Sequence, residues 1–509
     1  MRRINFRAII GYLVILAIIV AVVMLGINVA KEMKNNKSGG TSQQKLGGEV
    51  GTTSKTVRIS IDEWVGYDTL LQANGGRKTK KGSINDRNGI NIEYVIENDY
   101  KVSSAALIKG DLQGAGYTVN RFAFLTSKFE DAKVDVSMPF ITNYSNGGDG
   151  IIAKSNIKSI EDLAGKKVAV PKFSEAQTLV EWLVANSSLT ADQQEQIRKS
   201  MVFFETPDEA AKAFFAGEVD AAATWEPFLT QAKTTTGARV LFDTSMSRNL
   251  ILSGVIFRED FMAENEEFMK KFIDGVLEAR NLYKKEFTAI REMPMFELMS
   301  DQEIIDMANG ADLCTWHDNM DLLTDEAITM YRDMAKIWQK VGEKASPDKA
   351  SSMFTDKYVS LLNSKYSSMT YEDDDEDAFS DEKKQQAQNI DNKEALMAKT
   401  LDIRFQPDST VISEESYPML NEFAETAKIL DGVFIQIEGN TAKVPNADGI
   451  EFSKKRANSV ARYLQSQGVD SSRLIIVGNG DTKPKGDNNT EEGKAINRRT
   501  DVFFKVVGY

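Results

Sequence analysis

Ser159-Ile160-Glu161-Asp162-Leu163-Ala164-Gly165-Lys166-Lys167-Val168-Ala169-Val170-Pro171 decides the fold of this chain, because it changes period within one short stretch. Leu163-Ala164-Gly165-Lys166 reads as a helix end with a glycine stop, since glycine takes the left-handed conformation past a last helical residue at little cost. Lys167 to Val170 then predicts a strand whose C-terminal end opens onto a loop and a helix starting near Ser174. Ligands of open α/β sheets sit at that edge. Outward from here, residues 56–366 alternate short β-rich runs with longer helical ones. Strands are expected at Val57–Ile61, Ile90–Val95, Val134–Val136, Gly150–Ala153, Met201–Phe204, Ala221–Ala223 and Val240–Phe242. From Glu259 the pattern turns mostly helical, as in Glu266 to Lys284, where Phe268, Phe272, Val276 and Leu277 share one face.

The chain has 509 residues, 42% of them apolar, which predicts two or three packed domains. A formal charge of −13 repels nucleic acid, so no nucleic-acid partner is expected. The one cysteine, Cys314, excludes an internal disulfide, and with the one histidine, His317, it leaves few members for a metal cluster or a nucleophile–base pair. No metal, no cofactor and no catalytic residue are expected. Cys314 and His317 stand three apart, which reads as a helix face beside a core.

Residues 8–27 carry no charge and at ~1.5 Å per residue span ~30 Å, the thickness of a bilayer's hydrocarbon core. Residues 1–31 are therefore expected to be a retained anchor, because Asn28-Val29-Ala30 makes a poor cleavage site. Arg2, Arg3 and Arg7 before the span and Lys31, Lys34 and Lys37 after it orient it only weakly. Residues 32–55 read as a flexible tether, and residues 367–398, headed by the acids of 372–377, as a solvated linker. The last block, 399–509, reads β-α-β-α-β-turn-β, with strands at Ile403–Phe405, Val433–Glu438, Arg473–Val477 and Asp501–Val506.

Gly150-Ile151-Ile152-Ala153-Lys154, the 159–171 stretch, Ala213-Phe214-Phe215-Ala216-Gly217-Glu218-Val219-Asp220-Ala221-Ala222 and Trp225-Glu226-Pro227-Phe228-Leu229 together resemble the periplasmic binding proteins of the nitrate/sulfonate/taurine ABC-transporter family, which also includes thiamine-pyrimidine precursor binders. The resemblance implies a two-lobed, type II binding-protein fold over 56–366. Lobe one would be 56–148 plus 250–345 and lobe two 150–248, with a solute trapped by hinge closure and read by a permease. It also implies that Trp225 and Glu226 face the cleft, opposite Trp64 and Tyr67 and near Ser137, Met138, Pro139 and Phe140. Core packing is the plain alternative for the aromatics. Ser174, Glu175 and Gln177 open a helix whose N-terminal N–H groups suit an oxyanion, although Ser174 is equally an ordinary N-cap. The chain departs from the family at Leu112-Gln113-Gly114-Ala115, where an acidic residue is more usual.

Arg404-Phe405-Gln406-Pro407-Asp408-Ser409, Ile437-Glu438-Gly439-Asn440-Thr441, Phe452-Ser453-Lys454-Lys455-Arg456-Ala457 and Asn497-Arg498-Arg499-Thr500-Asp501-Val502 resemble the OmpA/MotB peptidoglycan-binding family, whose fold is an α/β sandwich. That resemblance implies that Arg456 grips a carboxylate of the cell-wall peptide bidentately, with Asn440, Thr441, Asn497 and Arg498 around it. For Asn497 and Arg498 the favoured reading is that they cap and pair locally, with a ligand-side role as the other. The family's Asp is Ala442 here and its His is Asn440, so the ammonium clamp is missing and peptidoglycan binding is weakened; Asp448, further on, is a substitute only if its loop swings in.

The expected protein is thus not an enzyme but a single-pass inner-membrane receptor. It would capture a small anionic or polar organic solute outside the cytoplasm for an ABC permease or sensor, and associate with peptidoglycan. The alternative is an envelope tether whose binding-protein domain serves only for docking. A MotB-like stator is disfavoured, because residues 8–27 lack the carboxylate that carries protons.

Overall fold

The computed structural model describes residues 55–506 apart from 248, 284, 371–394, 407–408 and 444–448. The expected span at 8–27, nearly all of the tether and most of the linker lie outside the described residues, as does Asp448. Among the described residues no helix is long and apolar enough to cross a membrane.

Among the described residues fifteen strands, β1 to β15, build three sheets. They are Val57–Ile61, Ile92–Ile96, Gly114–Thr118, Val136–Ser145, Asp149–Lys154, Val168–Pro171, Met201–Phe204, Ala221–Trp225, Ala238–Asp243, Leu252–Arg258, Ala311–Leu313, Ala395–Leu401, Phe434–Asn440, Leu474–Gly480 and Thr500–Lys505. The first lobe has the order β11-β4-β10-β3-β1-β2 and the second β7-β6-β8-β5-β9. In lobe one β1, β2 and β3 run parallel while β10 is antiparallel to β3 and β4. In lobe two β6, β7 and β8 run parallel and β5 is antiparallel to β8 and β9. The two-lobed α/β fold expected from the 159–171 stretch is present, with β6 starting one residue late.

Two crossings join the lobes, one between β4 and β5 and one between β9 and β10. The Thr244 hydroxyl fastens them. It accepts from the amide N–H groups of Gly147 at 2.9 Å and Asp149 at 3.3 Å, and lies 2.8 Å from Ser145 Oγ. The Ser145 amide also donates to Ile251 O at 2.9 Å, so both crossings meet in a small bonded knot. A knot of this kind suits a hinge, where a few residues at element ends absorb the turn.

Three helices position the cleft by their N-termini. Helix α1 (Val119–Ala132) is capped by Thr118, α2 (Glu175–Asn186) by Ser174 and α3 (Pro207–Phe215) by Thr206, each side chain accepting an amide N–H of the first turn. Pro207 at the start of α3 has no amide to leave unpaired and presets the helical φ.

The C-terminal sheet has the order β12-β15-β13-β14, covered by α4 (Tyr417–Ile429) and α5 (Gly449–Ser466). It opens with β12, which starts inside the stretch expected to be linker and ends inside the expected domain, whereas the strand expected at Ile403–Phe405 is only an isolated pairing of Phe405 with Ile412. β12 alternates charge poorly, and its place is decided by its antiparallel partner β15 rather than by local pattern.

This domain sits on lobe two and the second crossing. Ile160 N–H donates to Leu396 O at 2.9 Å, Ala398 N–H to Glu161 Oε1 at 3.0 Å, Gly432 N–H to Met246 O at 3.1 Å and Ser247 Oγ to Ile429 O at 2.7 Å. Gly432 is required there, because a Cβ on it would lie 2.2 Å from Ser245 O and 2.7 Å from Met246 Cα. Gly432→Val is expected to lower stability by about 1–3 kcal/mol through this overpacking and to speed amide exchange at Gly432; unchanged exchange would remove this contact from the interface.

Candidate functional site

Trp64, just past β1, and Trp225, at the end of β8, face one another from opposite lobes. Their ring centroids are 6.5 Å apart and their planes differ by 11°. Direct contact between apolar atoms needs only ~3.5–4.0 Å, so a modest parting of the lobes admits one flat group between the rings. Each indole is fixed from behind. Trp64 Nε1 donates to Asn143 Oδ1 at 2.8 Å, and Trp225 Nε1 donates to Asp208 Oδ1 at 3.0 Å. Glycines make room for Trp64 and for the Asn143 that holds it: a Cβ on Gly66 would lie 2.3 Å from Asn143 Cγ, and one on Gly148 would lie 2.8 Å from Trp64 Cη2.

Carboxylates surround the pair. Asp62 Oδ1 accepts from the Trp64 amide at 3.3 Å, and Asp149 stands opposite Trp225 in the β5–β8 ladder. Glu175 opens α2 and bonds Arg121 of α1 at 3.2 Å, while the Arg121 guanidinium also lies 4.3 Å from the Tyr100 ring centroid. Burial, with the charge of Glu175 next, pushes the Asp62 carboxyl up to about 7, although Asp62 keeps part of its surface open. Burial pushes Asp149 up to about 7 as well, again with Glu175 adding to it and the Ser145 hydrogen bond opposing it. Among the described residues no group of His, Cys, Asp and Glu has the geometry to hold a metal ion.

A carboxyl raised in the folded state favours its protonated form there. Its contribution to stability is complete below the unfolded value of ~3.9 and is lost as pH rises toward about 7. Asp149→Asn is therefore expected to raise the melting temperature above neutrality, by about 1–3 kcal/mol in stability, and to change little near pH ~4. A calorimetric pH series checks it; a loss of stability at both ends would show that the ionised carboxylate is needed for the fold.

The other residues expected at the cleft are placed as follows. Tyr67 is buried, its ring lying where a Cβ on Gly116 would meet it at 2.8 Å, and burial together with Asp62 and Glu175 pushes its hydroxyl well up. Ser174 donates to Pro171 O at 2.6 Å and caps α2, while Gln177 Oε1 accepts from the Phe173 amide at 2.8 Å, so both side chains tie the β6–α2 loop. Glu226 turns back on Thr230, accepting from its amide at 3.1 Å and its hydroxyl at 3.0 Å, and burial pushes its carboxyl up. Ser137 is not at the cleft. β4 runs on to Ser145, so the cleft end of that strand is Asn143, which lies ~20 Å further along at ~3.3 Å per residue. The expected strand end at Val136 was the source of that misplacement, and Met138, Pro139 and Phe140 move with it into the buried strand.

In the C-terminal domain Arg456 Nε donates to Ser409 O at 3.1 Å, and the guanidinium lies 4.6 Å and 4.5 Å from the Phe405 and Phe452 ring centroids. Asn440 is buried in a polar network. Its amide donates to Glu438 O at 3.2 Å and Asp501 Oδ2 at 3.1 Å, and accepts from Asn479 at 3.1 Å. Burial opposes charge on Glu438, but Lys483 at 2.8 Å and Asn479 at 2.6 Å hold that carboxyl below its usual range. Asn497 is wholly buried. It accepts from Lys485 N–H at 2.7 Å and Gly486 N–H at 2.8 Å and donates to Gly486 O at 2.9 Å and Asn488 Oδ1 at 2.8 Å. Its amide is thus used up in holding the 485–488 turn, which corrects its expected ligand role. Thr441 Oγ1 is buried without a hydrogen-bond partner among the described residues, beside Gly449, and Arg498 is exposed.

Residues 86–286 match the NMT1/THI5 like family, and residues 404–498 match the OmpA family. The chain carries an NMT1/THI5-like domain followed by an OmpA domain. Outer membrane porin F of Pseudomonas fluorescens is 33% identical over 107 residues, which cover 21% of this chain and 33% of that protein. Outer membrane protein A of Bordetella avium is 34% identical over 127 residues, 24% of this chain and 64% of that protein. The chain therefore spans about a third of the first of these relatives and under two thirds of the second. The periplasmic aliphatic sulphonate binding protein SsuA of Escherichia coli is similar at 18% identity with a TM-score of 0.47, covering 60% of this chain and 99% of that one. In the NMT1/THI5-like domain, sequence reasoning missed Asp62, Asn143 and Asp149. Asp149 has a signal in Gly147-Gly148-Asp149-Gly150, because small residues on both sides let a carboxylate sit at a close crossing of chains.

Proposed function

We propose that this protein is an extracytoplasmic solute receptor. Its NMT1/THI5-like domain closes over a small polar organic solute between Trp64 and Trp225, and its OmpA domain associates with peptidoglycan through Arg456. Residues 8–27 anchor it in the inner membrane, where a permease or sensor reads the closed form. The observation that carries this reading is the near-parallel pair of indoles, contributed by different lobes and held from behind by Asn143 and Asp208. A solute that bridges them binds only the closed form and shifts the hinge by its difference in affinity.

A thermal-shift screen of the detergent-solubilised full chain against sulfonates, nitrate, phosphonates, pyrimidines and amines tests this, since a ligand binding only the native state raises the melting temperature. Failure of every class would leave an envelope tether. Wall association is tested separately. Arg456→Ala is expected to reduce co-sedimentation of the full chain with purified peptidoglycan by about ten-fold or more, the loss of one charge-assisted bidentate contact. Wild-type protein that stays in the supernatant would show that Ala442 has ended that role.

A further inference from the structure

Charge at the indole pair narrows the solute class, on the reading that the cleft between Trp64 and Trp225 is the solute site. Trp64 carries Asp62 on its own amide, and Trp225 has Asp149 across the ladder and Asp208 on its indole N–H. Among the described residues the cation that acts on Asp62 is Arg121, and Arg121 is already bonded to Glu175 and stacked on Tyr100. No described cation acts on Asp149; its charged neighbours are Glu175 and Asp62. An anion entering here would meet carboxylates and the electron-rich faces of two indoles, both of which repel it. A cation would meet attraction from both.

We propose that the solute is a small organic cation with a flat unsaturated part, an amidinium, guanidinium or protonated heterocyclic amine, lying between Trp64 and Trp225 with its N–H groups toward Asp62 and Asp149. The near-parallel planes favour a flat guest over a spherical ammonium, because both indole faces then stay in contact with it. Two carboxyls raised by burial to about 7 fit this, since a bound cation takes the place of their protons and lets both ionise.

Three probes of one shape separate charge from fit: benzamidinium, benzamide and benzoate, titrated into the solubilised full chain by calorimetry at pH ~8, where Asp62 and Asp149 are mostly ionised. Benzamidinium is expected to bind at least about ten-fold tighter than benzamide, with benzoate weakest. In Asp149→Asn, and independently in Asp62→Asn, the gap between benzamidinium and benzamide should narrow. Benzoate binding as tightly as benzamidinium, and lost in Trp225→Ala, would overturn the charge assignment while keeping the receptor reading. Absence of binding by all of these probes at millimolar concentration would overturn both.

Discussion

Trp225→Ala is expected to weaken solute binding by at least about thirty-fold, ~2 kcal/mol, the loss usual when a central aromatic anchor is truncated. The fold should persist. Trp225 is the last residue of β8, the middle strand of its sheet, and is only partly buried, its ring meeting Trp64 across the cleft and Asp208 through its N–H. Removing it thus leaves no large internal cavity, and the melting temperature without solute should fall by less than that of a core truncation. The informative comparison is ligand-induced stabilisation in Trp225→Ala beside Trp64→Ala. Trp64 is more deeply buried and fits against Gly148, so its loss should reduce both binding and stability. A solute response unchanged in Trp225→Ala would remove Trp225 from the site.

Arg473→Ala is expected to destabilise the OmpA domain by about 3–5 kcal/mol, because a buried guanidinium bonded to several carbonyls leaves them unpaired when it goes. Arg473 is 3% exposed. It donates to Val433 O at 3.0 Å, to Ala427 O at 2.9 Å and to Leu430 O, closing the turn from α4 into β13. Burial pulls its guanidinium down to about 10, with Asp431 and Asp470 opposing, so it stays charged at neutral pH. The turn it closes is the one that meets the second lobe crossing at Gly432 and Ser247. Denaturant unfolding should show the OmpA transition moved to lower denaturant, together with faster exchange of the Gly432 amide, which donates to Met246 O; a midpoint within error of wild type would contradict the account of this arginine.

The second lobe was legible in the sequence because its strands are local. β5, β6, β7, β8 and β9 each carry an apolar run bounded by turn residues, and the 159–171 stretch places β6 within a residue. The first lobe was less legible for a physical reason. β10 is a central strand made by the return crossing, antiparallel to both neighbours, and Leu252–Arg258 holds Ser253 and Gly254, which weaken its local signal. β4 was expected to end at Val136, yet it runs on to Ser145 and all ten of its residues are buried. The site inherited that error through Ser137. Trp225 was expected at the cleft from the family resemblance, and Trp64 because it follows the first strand at the matching edge, whereas Asp62 and Asp149 were not singled out. Only the third dimension shows that Asp149 pairs with Trp225 across the ladder and that Asp62 accepts from the Trp64 amide.

An experimental electron-density map of the full chain, purified from its native membrane without dialysis, tests the central claim most directly. It is predicted to show a flat group between Trp64 and Trp225 within hydrogen-bonding distance of Asp62 or Asp149, with that density absent from Trp225→Ala. Indoles in direct contact, or a cleft filled by the chain's own side chains, would contradict a receptor that closes over a guest.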